Sequence, residues 1–449
     1  MEVIEQAKAL LNILIKRKFE AFFIGGKCRN DLNNQYHETK VSIKDIDIVT
    51  NATVDDLKKI FPSSNVRGES FQVVAVIFGG LEFEIATYRR DIYNIIKNKR
   101  SKVEKPETVI AKTLIEDCER RDFTINAIAQ KIDGTYIDYV YNYRNKKISA
   151  MADIKGKIIR AIGNPKQRFE EDPLRILRAF RFMSQLGYEI EKNTIVAIAN
   201  NLKLLEFVPH ERIGMEMNKL IMGNFAYATL TLMREMGFFK LNIKNSIDGI
   251  QTFLPHFSDI KDEHLQKLTL LNLGKDHKLN SLETWAFLFQ PLGIQKAKEN
   301  LESFRPLNND DIERVEWLIE NYDLVKSDNI KISIYNARTG IVKRHKITCM
   351  KELLISLVKI HTKLTKEKNL EKKLLDTFCS YPYFDEQLMV DGEQLIEIAQ
   401  KPAGPWIAQV KDRIILNILN MDRYPREQEK YDEIVNLSIN EILMEDKIV

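Results

Sequence analysis

Apolar and polar positions keep two different rhythms along this chain. Between residues 1 and 17, Ile4, Ala7, Leu11, Leu14 and Ile15 recur at three- and four-residue spacing, which predicts an amphipathic helix. Ala21 to Ile24 is a short apolar run ending on Gly25-Gly26, a strand that turns sharply. Ile46, Ile48 and Val49 alternate with Asp45 and Asp47 at the period of a half-buried strand. Thr53 with Asp55 and Asp56 predicts a helix N-cap and a negative first turn ahead of Leu57 to Phe61. Gln72 to Phe78 and Leu81 to Tyr88, joined by Gly79-Gly80, predict a hairpin. After about residue 165 glycine thins out, strand signals nearly vanish and helical spacing dominates. Leu254-Pro255, Pro291-Leu292-Gly293, Pro306, Pro382 and Lys401 to Pro405 punctuate the helices. The class is therefore α+β, a small mixed sheet with helices followed by a helical remainder.

At 449 residues the chain exceeds one compact core. Its 44% hydrophobic and 29% charged content is that of a folded globular protein. A net charge of +4 does not by itself mark a nucleic-acid binder. The four cysteines, Cys28, Cys118, Cys349 and Cys379, form no CxxC pair, which speaks against a zinc site or disulfide framework. No apolar run is long enough to cross a bilayer, and Glu2 and Glu5 do not suit a signal peptide. These features predict a cytoplasmic protein with no membrane partner. The basic runs Lys343 to Lys346 and Lys366 to Lys373 read as solvated helix faces.

Three runs carry chemistry. In the first, Gly25-Gly26-Lys27-Cys28-Arg29 precedes Lys44-Asp45-Ile46-Asp47 by about twenty residues. Residues i and i+2 of a strand share a face, so Asp45 and Asp47 project together, and magnesium would relieve two adjacent like charges. Gly25 and Gly26 let backbone N–H groups approach phosphate oxygens, and Arg29 adds charge there. Alone, Asp-x-Asp also fits a solvated strand edge. Glu84, between Phe83 and Ile85, is a third metal ligand or a surface acid paired with an arginine. In the second run, Arg120 and Arg121 suit a triphosphate, and Asp122 and Asn126, four apart, would share a helix face pointing at a ribose or at the arginines, with a salt-bridged surface helix as the other reading. In the third, Pro173 sets a helix start near Asp172, with Asp172 and Arg175 as neighbours. A carboxylate there accepts from the exocyclic amine of cytosine or adenine and meets the carbonyl of uracil or guanine acceptor to acceptor. A capped helix with an internal ion pair is the other reading of that spacing.

Taken together, FIGGKCRNDL, KDIDIVTNAT, FEIATYR, EDCERRDFTINAIA, IIRAIGNPKQRFEEDPLRILRAFRF and VPHERIGMEMNKLI closely resemble the class II tRNA nucleotidyltransferases (CCA-adding enzymes) and bacterial poly(A) polymerases. They cover residues ~20–220. The resemblance implies a nucleotidyltransferase head at 1–140, a base-selecting neck at 141–215, a helical body at 216–340 and a tRNA-binding helical tail at 341–449. It implies Asp45 and Asp47 on Mg2+ with Glu84 as further acid. It also implies Gly25, Gly26, Arg29, Arg120, Arg121, Asp122 and Asn126 around the incoming nucleotide. Asp172, Arg175 and Arg178 would form the protein template for CTP and then ATP on the tRNA 3′ acceptor end. Leu388 to Ile396 and Pro402 to Ile407 resemble the tail of CCA-adding enzymes of low-GC Gram-positive bacteria, and the C-terminus lacks the basic extension usual in poly(A) polymerases. No histidine is followed by Asp, so an appended phosphohydrolase domain is not expected. A loop from Arg90 to Lys112 occupies the place of the family's CTP-to-ATP switch. Departures from the pattern are Asn30 for the usual Asp, Lys27-Cys28 for small apolar residues, and Gln72 for a common glycine. A poly(A) polymerase, an A-adding or CC-adding enzyme, and a catalytically inactive RNA-binding relative are the alternatives.

Overall fold

The computed structural model describes residues 2–39, 46–67, 72–92, 107–245, 249–272, 278–304, 306–367, 369–425 and 427–445. Asp45 and the central part of the 90–112 loop lie outside them. The chain forms two compact units, Met1–Phe253 and Leu254–Val449, and the boundary falls on the predicted break Leu254-Pro255.

In the first unit, α1 (Glu2–Lys16) buries Ala7, Leu10, Leu11 and Leu14. Ile15 instead stays 40% exposed, because Leu10, one turn from both Ala7 and Leu14, completes the stripe in its place. The strands are β1 (Ala21–Ile24), β2 (Asp47–Thr50), β3 (Asn65–Arg67), β4 (Val73–Phe78), β5 (Leu81–Thr87), β6 (Arg89–Ile92), β7 (Glu107–Ile110), β8 (Ala129–Gln130) and β9 (Tyr136–Ile137). Seven of them form one sheet in the order β3-β4-β5-β2-β1-β8-β9, while β6 and β7 pair separately. Within this sheet, among the described residues, only β2 and β5 pair in parallel, and their register sets Asp47 opposite Glu84. Ile48, Val74 and Ile85 stand in register on one face of the sheet and Val49 on the other, and all four are buried. The β4–β5 hairpin turns at Gly79 and Gly80, whose φ values of 58° and 79° cost glycine little.

Helix α2 (Gly26–His37) was not legible in the sequence, because Arg29 to Asn34 is nearly all polar and rich in weak helix formers. Burial of Cys28 and Leu32 overrides that preference. Helix α3 (Val54–Ile60) begins at Thr53 in the predicted way, with a capping box between Thr53 and Asp56. Then follow α4 (Leu114–Glu119), α5 (Ala150–Lys155), α6 (Pro165–Glu171), α7 (Leu174–Leu186), α8 (Lys192–Asn201), α9 (His210–Ile221) and α10 (Ala226–Glu235), with α7 packed on α9 and α10. Two strand pairs interrupt this helical stretch against expectation, Ile158–Ile159 with Glu189–Ile190 and Asn242–Asn245 with Gly249–Thr252. Pairs this short carry no readable alternation.

The second unit is helical. Its helices end or begin at the predicted breaks, as where Ala399 closes one and Trp406 opens the next. Near the C-terminus Val410, Ile414 and Ile418 of Trp406–Leu419 meet Tyr431, Val435 and Ile439 of Gln428–Glu445 in one apolar core. Lys343 and Arg344 are exposed, and Arg344 pairs with Glu313, as a solvated helix face predicts. Among the described residues no helix is long and apolar enough to cross a membrane.

Candidate active site

The site gathers where β1 hands over to α2. Gly25 caps α2 with φ 70° and ψ −125°, a conformation open essentially to glycine alone. A methyl group there would stand 3.4 Å from Asp47 Oδ2 and 3.5 Å from Arg121 Nη1. A carboxylate and a guanidinium 74 residues apart in sequence thus flank one glycine at a helix N-terminus, whose backbone N–H groups and dipole favour an anion. Asp47 itself is exposed, opposite Glu84 across the parallel pair. Glu84 also takes an ion pair from Arg67 at 2.9 Å, as the reading of a surface acid paired with an arginine expects. With both groups about half exposed, that pair is worth at most about 1 kcal/mol and leaves Glu84 available. Adjacent carboxylates are the hard oxygen donors that suit magnesium. Among the described residues no group of three or more such ligands gathers, and Asp45 lies outside them.

Arg120 and Arg121 follow α4, and both are gripped by Asp117, which is fully buried. Arg120 Nε donates to Oδ1 at 2.8 Å and Arg121 Nη2 to Oδ2 at 2.9 Å. Burial opposes ionisation of Asp117, but the two guanidiniums outweigh it and hold its carboxyl below the usual range. Burial also pushes Arg120 down to about 10, against the pull of Asp117.

Asp122 and Asn126 do meet, but not on the expected α-helix; residues 124–126 form a 3-10 turn. The chain turns there because Asp122 Oδ1 accepts from the Phe123 N–H at 2.8 Å and from Asn126 Nδ2 at 2.9 Å. Its Oδ2 receives Arg178 Nε at 2.7 Å, so of the two partners open to it Asp122 meets an arginine, Arg178, outside the Arg120-Arg121 pair. Burial raises the Asp122 carboxyl, yet Arg178 and these hydrogen bonds hold it far below the usual range. Asn126 Oδ1 then faces Arg29 Nη1 at 2.7 Å. Its amide cannot flip without setting Nδ2 against a guanidinium and Oδ1 against a carboxylate.

Proline decides the third run. Asp172 precedes Pro173 and is extended, with φ −145° and ψ 96°, which separates α6 from α7. Asp172 Oδ1 caps the Leu174 N–H at 3.2 Å, and Arg212 of α9 lies 3.9 Å from Oδ2. The expected Asp172–Arg175 pair is replaced by Glu171–Arg175, an i,i+4 pair that spans the kink at 3.0 Å. Arg175 is buried and donates also to the Arg168 carbonyl at 2.9 Å. Around the Phe182 ring stand Arg29 at 5.0 Å, Arg178 at 5.8 Å and Arg181 at 4.3 Å. Glu216 of α9 holds Arg181 at 2.7 Å. Burial and the neighbouring Arg181 push Arg29 down to about 10, against Asp122.

Four buried carboxylates, Asp117, Asp122, Glu171 and Glu216, thus answer Arg120, Arg121, Arg178, Arg168, Arg175 and Arg181, while Arg29 is met by the amide oxygens of Asn30 and Asn126. Guanidiniums outnumber acids, and a polyphosphate would neutralise the surplus. Asp117, Arg168, Glu171, Arg181, Phe182, Arg212 and Glu216 were not singled out from sequence. For several the signal was spacing: Asp117 stands three and four before the arginines, and Glu171 three after Arg168 and four before Arg175.

A mixed sheet that sets an acid beside a helix N-terminus, facing an arginine-rich basin, defines the class of nucleotidyltransferases. Residues 21–160 match the family described as Poly A polymerase head domain, and residues 187–244 that described as Probable RNA and SrmB- binding site of polymerase A. The chain is 30% identical over 414 residues, 91% of each protein, to the CCA-adding enzyme of Geobacillus sp. (strain WCH70). It is 26% identical over 440 residues to that of Staphylococcus epidermidis, covering 93% of this chain and 94% of the relative. The crystal structure of the Bacillus stearothermophilus CCA-adding enzyme in complex with CTP superposes with a TM-score of 0.72 at 26% identity, covering 98% of both chains. This chain belongs to the family of CCA-adding enzymes.

Proposed function

We propose that the chain is a tRNA nucleotidyltransferase that adds C, C and A, from CTP and ATP, to the tRNA 3′ end without a nucleic-acid template. The RNA 3′-hydroxyl attacks the nucleotide α-phosphate in line and pyrophosphate leaves. What carries this reading is Gly25, with Asp47 and Arg121 on either side at a helix N-terminus.

Asp45 and Asp47, with Glu84 beside Asp47, would hold Mg2+, which when bound supplies activation of the hydroxyl and neutralises charge on the leaving group. Arg29, Arg120 and Arg121 and the backbone at Gly25-Gly26 hold the triphosphate. Asp122 and Asn126 orient Arg178 and Arg29. Asp172, with Arg175 and Arg178 on the same helix start, selects the base: its carboxylate accepts from the amine of cytosine or adenine and repels the carbonyl of uracil or guanine. The head at 1–140 would do the chemistry, the neck at 141–215 choose the base, and the body at 216–340 and tail at 341–449 hold the tRNA acceptor arm by shape and phosphate contacts. Its place would be the cytoplasm, with its substrates.

The test is product length on tRNA lacking its CCA end, with magnesium, CTP and ATP. Three defined additions are expected. A long A tail would make it a poly(A) polymerase, one or two additions a partial enzyme, and no magnesium-dependent pyrophosphate release an inactive relative. Asp47→Ala should abolish CTP incorporation, and full residual activity would refute the catalytic assignment. Asp172→Ala should relax selection against UTP and GTP.

A further inference from the structure

We infer that Arg168 is a positioning residue that ties the nucleotide-holding Arg120-Arg121 turn to the base-reading start of α7. The inference rests on the function proposed above. Helix α4 ends at Glu119, so the carbonyls just beyond it have no partner within the helix. Arg168, 48 residues away in α6, supplies one: its Nη2 donates to the Arg120 carbonyl at 2.5 Å and to the Arg121 carbonyl at 2.7 Å. Its Nη1 meets Glu171 Oε2 at 2.6 Å, and Arg175 Nη1 meets that same oxygen at 3.0 Å. Arg175 Nη2 adds a bond to the Arg120 carbonyl at 3.3 Å. Gln167 Nε2 takes the other Glu171 oxygen at 2.9 Å.

The geometry is a strap with defined ends. At one end lie the two peptides whose side chains, clamped by Asp117, face the triphosphate. At the other is Glu171, whose next residue, Asp172, carries the base-reading carboxylate. Four guanidiniums (Arg120, Arg121, Arg168 and Arg175) share two buried carboxylates (Asp117 and Glu171), so the strap itself carries two surplus positive charges. A shift of the Arg120-Arg121 carbonyls would break charge-assisted bonds to Arg168 and move α6 against the turn. Only a planar fork spans a carboxylate on one side and two carbonyls on the other; an ammonium acts from one point.

The test compares Arg168→Met, Arg168→Lys and Glu171→Gln with the wild-type full chain, measuring KM and kcat for CTP, ATP, UTP and GTP on tRNA, with urea unfolding alongside. Arg168→Met should raise KM for CTP and ATP on the order of tenfold and narrow the discrimination against UTP and GTP. Arg168→Lys should recover part of both effects. Unchanged KM and selectivity, with kcat lowered only as the folded fraction falls, would show a merely structural residue and overturn the inference. If Arg168→Met does not fold, Arg168→Lys and Glu171→Gln decide in the same way. A wild-type chain that incorporates no nucleotide would overturn the proposed function, and this inference with it. An active wild type with unaffected variants would overturn this inference alone.

Discussion

Replacing Asp117 by asparagine removes one charge and almost no volume, at a position with no exposure to solvent. The carboxylate serves Arg120 through Oδ1 and Arg121 through Oδ2, and Oδ1 also accepts the Arg89 N–H at 3.4 Å. Breaking a buried pair from one side costs about 3–5 kcal/mol, because the partner stays buried and uncompensated. An amide keeps one acceptor oxygen for one arginine, which puts the cost near the low end, about 3 kcal/mol. In a unit of about 250 residues that corresponds to a fall of roughly 6–12 °C in Tm. The sign with pH is definite. The Asp117 carboxyl is held below its ordinary value, so its contribution is complete above the unfolded carboxylate pKa of about 3.9 and fades as pH falls below it. Thermal melts followed by circular dichroism at pH 7 and near pH 3 should show a wide gap between the two proteins that narrows in acid. Equal Tm values at pH 7, or a gap that persists undiminished in acid, would refute the reasoning.

Gly25→Ala places a methyl between Asp47 and Arg121 and forces a glycine-only backbone, so CTP incorporation should fall more than tenfold with stability down about 1–3 kcal/mol, read by turnover and urea midpoint. Gln72 holds φ 51° and is braced by Thr87 Oγ1, which donates to Gln72 Oε1 at 2.9 Å. Gln72→Val should therefore lose about 1–3 kcal/mol, while Gln72→Gly, trading strain for that bond, should stay within about 1 kcal/mol of wild type by denaturant titration. Thr53→Ala removes one side of the α3 capping box and should cost about 1 kcal/mol in the same measurement, with CTP turnover unchanged.

Local rules made part of this molecule legible without coordinates. Alternation located β2, the Gly79-Gly80 turn located the hairpin, Thr53 announced the N-cap of α3, and Pro173 announced the start of α7. Each of these depends on neighbours a few residues away, and the sequence states those directly. The partners of the charged residues were not legible in the same way. Asp122, open to a ribose or to the arginines, anchors Arg178, 56 residues on; Arg175 looked like Asp172's partner and is held by Glu171. Arg168 showed nothing until its guanidinium was seen on carbonyls 47 and 48 residues upstream. A long flexible side chain has many acceptors within reach in principle, and burial leaves it only those the packed elements bring near. Residue types and order thus pointed to acids, glycines and arginines for nucleotide chemistry. Which arginine is held by which acid was decided by how the sheet, α4, α6 and α7 pack together.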